Sequence, residues 1–249
     1  MPKSDTARIL LFDLECTNLK ADFGRLLCFG WKWFDEGKAH VRDITQFPKR
    51  FASDPTDDRE LAEFARNLML AADILVGWYS LYFDLPFLQT RLLAHGLDPI
   101  PPIAHDDGWK IARYSLKLHS NRLASVSQFL GLEEKTPLLP SHWTRATAGH
   151  KPSIKYVVAH CRQDVLVLEQ AYKKLRPYAK QPTNVNLTRN RQYLADCKEN
   201  GVMLCPRCGS DRMQKRGFSL ARTSLRQRFQ CVKCGGWAAG KSAPLVVAR

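Results

Sequence analysis

Ala7-Arg-Ile-Leu-Leu-Phe-Asp-Leu-Glu15 decides the fold. Its apolar run reads as a buried strand that ends in two carboxylates, Asp13 and Glu15. Side chains two apart on a strand point to the same face. The pair therefore shares one side of a strand end whose neighbours are Leu11, Phe12 and Leu14. Two buried carboxylates repel each other and cost desolvation unless something neutralises them. A bound divalent cation is the simplest compensation. By itself the D-x-E pattern also fits a pair of exposed strand-end acids.

Working outward, Leu26–Phe34 and Ala39–Ile44 are β-rich runs flanking the turn-like residues 35–38, so the chain opens with three antiparallel strands. A helix is predicted over Asp57–Ala72, with Leu61, Phe64, Ala65 and Leu68 at helical spacing and Pro55 and Asp57 as start signals. Ile74–Trp78 reads as a short strand. Leu85–His95 reads as a helix with Pro86 in its first turn and Gly96 past its end. Gly108–Tyr114 and Arg122–Leu130 are further helices, the second with Asn121 as N-cap and Gly131 as stop. Residues 132–152 read as loop-rich. Ser153–Tyr178 is a long helix, with Ile154, Val157, Val158, Cys161, Val165, Leu168, Tyr172 and Leu175 on one stripe. The order predicts an α/β fold, a mixed sheet flanked by helices. Polar, proline-containing Lys180–Asn190 marks a boundary. The expected organisation is a domain over 1–180, a linker or short helix over 181–203, a four-cysteine module over 204–238 and a tail over 239–249.

Charge and cysteine divide in the same place. Residues 1–172 hold 21 Lys+Arg and 21 Asp+Glu, whereas residues 173–249 hold 17 and 3, so the whole net charge of +14 lies in the later part. Such segregation implies a polyanionic partner. Cys16, Cys28, Cys161 and Cys197 are scattered singly and read as packing residues, while Cys205, Cys208, Cys231 and Cys234 form two CxxC pairs. With neither a signal-peptide pattern at the start nor an apolar run of membrane-spanning length, a soluble, intracellular (cytoplasmic) protein with a metal site is expected, rather than a disulfide framework.

Three further residues join the first two acids. Asp84 follows an apolar strand and opens a helix, where an N-cap is the plain alternative. His160 and Asp164 lie at i and i+4 of the long helix and share a face; such a pair is commonly a surface hydrogen bond. Taken together, Phe12-Asp13-Leu14-Glu15, Phe83-Asp84-Leu85-Pro86-Phe87-Leu88 and His160-Cys161-Arg162-Gln163-Asp164-Val165 resemble, in order and setting, the three motifs of the DEDD-superfamily 3′–5′ exonucleases. The resemblance is to the proofreading domain of family B DNA polymerases, spans roughly residues 7–175, and includes the block Asp107–Lys135. It implies an RNase H-like domain hydrolysing phosphodiester bonds from a 3′ end, in DNA or in RNA. The rival reading is a non-catalytic nucleic-acid-binding or scaffold protein on the same fold. Two departures stand out. His160 occupies the slot that one branch fills with a tyrosine separated from the last Asp by three residues, with Tyr156 a turn further back. Tyr79 stands where motif two often has Asn.

The resemblance assigns the metal to Asp13, Glu15, Asp84 and Asp164, hard oxygen donors suited to Mg²⁺ or Mn²⁺. Two such ions about 3.5–4 Å apart would clamp the attacking and leaving oxygens. A neutral imidazole at His160 would take the proton of the attacking water. The CxxC pairs, each followed by glycine and separated by 22 residues, resemble a zinc ribbon holding one structural Zn²⁺; redox pairs or an iron–sulfur site are the alternatives. Arg212–Gln230 between them reads as a hairpin, with Leu225 and Phe229 on one face and Arg226 and Arg228 on the other. Lys215, Arg216, Arg222, Arg226 and Arg228 are the expected nucleic-acid contacts, and docking of a protein partner is the alternative use of the ribbon. Phe218 and Trp237 could stack on bases, but a small ribbon needs such residues inside, so they are assigned to its core.

Overall fold

The computed structural model describes residues 7–34, 36–132, 139–180, 191–221 and 224–244. Two compact units divide the chain: Arg8–Lys180, and a second that carries the described residues from 191 onward.

The first unit begins with β1 (Ile9–Cys16), β2 (Leu26–Trp33) and β3 (His40–Asp43), followed by α1 (Pro48–Ser53), α2 (Arg59–Leu70), β4 (Ile74–Gly77) and α3 (Asp84–Ala94). It continues with β5 (Ala104–Asp107), α4 (Gly108–Ser115), α5 (Leu123–Phe129), α6 (Pro140–Thr147) and α7 (Lys151–Leu175). The sheet order is β3-β2-β1-β4-β5. The first three strands are antiparallel, as their short connections require, while β4 joins β1 and β5 joins β4 in parallel. This is the expected mixed sheet flanked by helices. Ile9, Leu10, Leu11, Phe12 and Leu14 are buried in its middle strand. No described helix is long and apolar enough to cross a membrane.

Residue alternation places helices on both faces. Trp31 of β2 meets Phe64 of α2, with ring centroids 5.1 Å apart. Its neighbour Gly30 points the other way, toward α7: a Cβ there would stand 2.7 Å from Cys161 Sγ and 3.1 Å from Val165 Cγ2. Only glycine allows α7 to come so close at the position paired with Asp13. The fully buried Asp58 sets the opposite side. It accepts the Leu26 amide at 2.7 Å, Arg91 Nη2 at 2.8 Å and a hydrogen bond from His95 Nε2 at 2.6 Å, tying α2 to β2 and α3.

Two local readings are corrected, and one strand was not read. The stretch read as loop-rich over 132–152 contains α6, started by Pro140 and anchored by buried Ala146 against α7. Strand β5, with the pattern Ala-His-Asp-Asp, has no β-branched residue and forms because β4 offers a parallel edge. The long helix ends as α-helix at Leu175 and continues as a 3₁₀ turn over Arg176–Tyr178, where Pro177 supplies no amide.

The second unit contains α8 (Arg191–Glu199) and a three-stranded antiparallel sheet, β6 (Met213–Ala221), β7 (Ser224–Cys231) and β8 (Trp237–Pro244). The hairpin read from the sequence is β6–β7; the third strand was not legible. Arg226 and Arg228 are exposed and Leu225 and Phe229 half-buried, as alternation predicts. Phe218 and Trp237 are not core residues: they are 58% and 48% exposed. Arg222 lies outside the described residues.

Candidate active site and metal centre

The acidic site is assembled on β1. Asp13 and Glu15 pair with Gly30 and Cys28 of β2, and both are half-buried. α7 brings His160 and Asp164 to the same place. His160 Nε2 lies 3.9 Å from Glu15 Oε1 and 3.7 Å from Asp164 Oδ2, and ligand atoms of all three residues fall within 4.8 Å of one another. These separations are too long for a hydrogen bond and the side chains are about nine-tenths covered, so the surface-pair alternative for His160 and Asp164 does not hold. His160 Nδ1 is buried without a hydrogen-bond partner among the described residues. Tyr156, one turn earlier, stacks on His142 of α6 at 4.2 Å.

Asp84 is the first residue of α3, and its side chain caps no helix. Its Oδ1 instead accepts the amide of Leu14 at 3.3 Å, between the two acids of β1. Burial, with the charge of Asp107 adding to it, outweighs the amide bonds and pushes the Asp84 carboxyl up to about 7. Glu15, His160 and Asp164 thus form one group, Asp84 is tied to the same strand end through the Leu14 amide, and Asp13 precedes Leu14 on that strand. Carboxylate oxygens with one imidazole beside them are donors that would suit a hard divalent cation.

One residue was missed by sequence reasoning. Asp107 ends β5 and accepts four amides: Tyr79 at 3.0 Å, Leu81 at 3.1 Å, Trp109 at 2.9 Å and Lys110 at 3.3 Å. It pins the turn that leads into Asp84 to the start of α4. Its sequence signals were an Asp ahead of a short helical pattern and its place at the start of the block Asp107–Lys135. Behind it, His105 shares a hydrogen bond with the buried Ser80 hydroxyl at 2.8 Å, and burial pushes the imidazole down to about 4.

The four thiols form a separate cluster. Cys205 Sγ lies 3.6 Å from Cys234 Sγ, and Cys208 Sγ lies 3.7 Å from Cys231 Sγ; all four fall within 4.8 Å. Zn–S bonds of about 2.3 Å at tetrahedral angles place sulfurs about 3.8 Å apart, so the cluster has the size of a tetrathiolate zinc site. Each CxxC pair is closed by a glycine in the left-handed region, Gly209 at φ 70° and Gly235 at φ 69°, whose amides return to Cys205 and Cys231. Against the penalty of burial, the amides of Cys234 and Lys233 and the neighbouring thiols pull Cys231 down to about 7.

The first unit has the architecture of an RNase H-like domain: a five-stranded mixed sheet whose middle strand carries paired acids and whose last long helix supplies another. The RNase H superfamily model matches residues 10–176, and the chain belongs to that superfamily. No curated protein is significantly similar in sequence. Among solved structures, the chain is similar in fold to the family B DNA polymerase from the hyperthermophilic archaeon Pyrobaculum calidifontis. The TM-score is 0.54 and the identity 16%, covering 87% of this chain; the chain spans 31% of the polymerase's length.

Proposed function

We propose that this protein is a metal-dependent 3′–5′ exonuclease. The carrying observation is the convergence of Glu15, His160 and Asp164 within 4.8 Å beside Asp84 on the Leu14 amide. The superfamily and the fold likeness to a DNA polymerase support it. Asp13, Glu15, Asp84 and Asp164 would hold Mg²⁺ or Mn²⁺; when bound, such ions supply Lewis-acid charge at the phosphodiester. His160, held by α7 and facing Glu15 and Asp164 through Nε2, accepts the proton of the attacking water in its neutral form. The Leu14 amide orients the Asp84 carboxylate. A non-catalytic binding protein would gain from losing negative charge where phosphate lies.

The four cysteines hold one structural Zn²⁺ in this reading, and the exposed Lys215, Arg216, Arg226 and Arg228 bind phosphates. Arg228 lies over the exposed Trp237 ring, 4.2 Å from its centroid, which keeps its guanidinium plane presented at the surface. Incubation of 5′-labelled DNA and RNA oligonucleotides with Mg²⁺ or Mn²⁺ should give ladders shortened from the 3′ end, and Asp13→Ala should abolish them while the protein stays folded. Undiminished degradation by that variant would refute the assignment.

A further inference from the structure

Four aromatic rings gather at the surface of the first unit, on the turn before α3 and on α4. Tyr79 and Tyr82 stack at 5.1 Å, Trp109 meets them edge-on at 4.9 and 5.7 Å, and Tyr114 lies 6.3 Å from Trp109. Tyr79, Tyr82 and Tyr114 are 43%, 49% and 54% exposed, so much of this aromatic area is left facing water. The arrangement is held rather than incidental. The four amides on Asp107 fasten the Tyr79 turn to the Trp109 end of α4. Tyr79 also has φ 62°, the only positive φ of a non-glycine among the described residues. That conformation is costly for a bulky side chain, and strain of this kind gathers at functional sites.

Two further observations say what covers these rings. Between Gly108 and Leu132 the chain carries Lys110, Arg113, Lys117 and Arg122 and no Asp or Glu, although residues 1–172 are balanced in charge. Lys110 and Arg113 share α4 with Trp109 and Tyr114. The turn is also continuous with the acidic site: the Tyr79 carbonyl accepts the amides of Tyr82 and Phe83, and Asp84 is the next residue.

We propose that Tyr79, Tyr82 and Trp109 form a stacking platform for the unpaired bases of a single-stranded nucleic acid, with the cations of α4 and the segment after it holding its phosphates. The proposal rests on the nuclease reading for the identity of the neighbouring site and names its substrate class. Every base offers a π-face, so the platform is tolerant of sequence. In a duplex those faces are stacked within the helix, so the platform discriminates against paired strands.

Binding of fluorescent oligothymidine, and of a blunt duplex of equal length, to the full-length protein tests this. It is measured without added divalent ions and at raised salt, where phosphate contacts weaken and stacking does not. Tyr82→Ala should weaken oligothymidine binding about tenfold or more. Tyr79→Asn, which keeps a residue tolerant of the left-handed backbone, should do the same, while Tyr82→Phe retains the parent affinity and duplex binding changes less than twofold. Unchanged oligothymidine binding, or equal losses on both ligands, overturns the platform. Cleavage by the parent protein is scored separately. Selective loss of single-strand binding in a parent that never cuts keeps the platform and removes the nuclease; cleavage by the parent with unaltered binding by the variants does the reverse.

Discussion

Asp84 is buried with its carboxylate on the Leu14 amide, and burial lifts its pKa from 3.8 to about 7. The folded state thus holds this proton more tightly than the unfolded chain. The resulting stability is fully present below about pH 4 and is lost as pH rises through about 7, a swing of about 4 kcal/mol. His105 works in the opposite sense: its contribution is present above 6.5 and is lost as pH falls toward about 4. The parent's melting curve sums the two, so variants must separate them. In metal-free protein, Asp84→Asn should raise Tm at pH 8 and leave it nearly unchanged at pH 4; with Mg²⁺ or Mn²⁺ added, it should abolish cleavage. A lower Tm at pH 8 would show that the carboxylate costs nothing there. His160→Ala should reduce the rate by about 10²–10⁴-fold without loss of folding. A rate within a few-fold of the parent would remove the proton-accepting role. The residue types and their order along the chain were legible in the sequence. The carboxylate bond from Asp84 to β1 was not, because it joins residues 70 apart.

At the scale of elements, the site depends on how closely α7 approaches the sheet. Gly30 sets that distance, and an added Cβ would meet Cys161 Sγ at 2.7 Å. Overpacking of this kind costs about 1–3 kcal/mol and moves the backbone. Gly30→Ala should therefore lower Tm and, at temperatures where the variant is folded, lower kcat more than KM, because His160 and Asp164 retreat from Glu15. Steady-state kinetics check this, and parental kcat would show that the helix has room to spare. The strands β1, β2 and β3 and the helices α2, α3 and α7 were readable from apolar periodicity. β5 and α6 were not: each is short and polar, and each is stabilised by a neighbour rather than by its own propensity.

At the scale of the molecule, the charge-balanced residues 1–172 carry the acids and the strongly basic segment from 173 onward carries the thiols. If the ribbon grips phosphates, charge reversal at Arg226 and Arg228 should raise KM on long substrates and leave kcat on short ones unchanged. The slope of log K against log[salt] should flatten by about 0.7 for each single-strand phosphate that is no longer neutralised. An unaltered slope in a salt titration would redirect the ribbon toward a protein partner. The order of residues alone carries the α/β class, the ligand chemistry of the acids, the two CxxC pairs and the charge division, because all are properties of local pattern and composition. Folding supplies the rest. It brings His160 within 3.9 Å of Glu15 across 145 positions, places Asp84 on the Leu14 amide, and leaves Tyr79, Tyr82 and Trp237 facing solvent. Such proximities and exposures depend on which surfaces pack against one another, and no local window of sequence contains both partners.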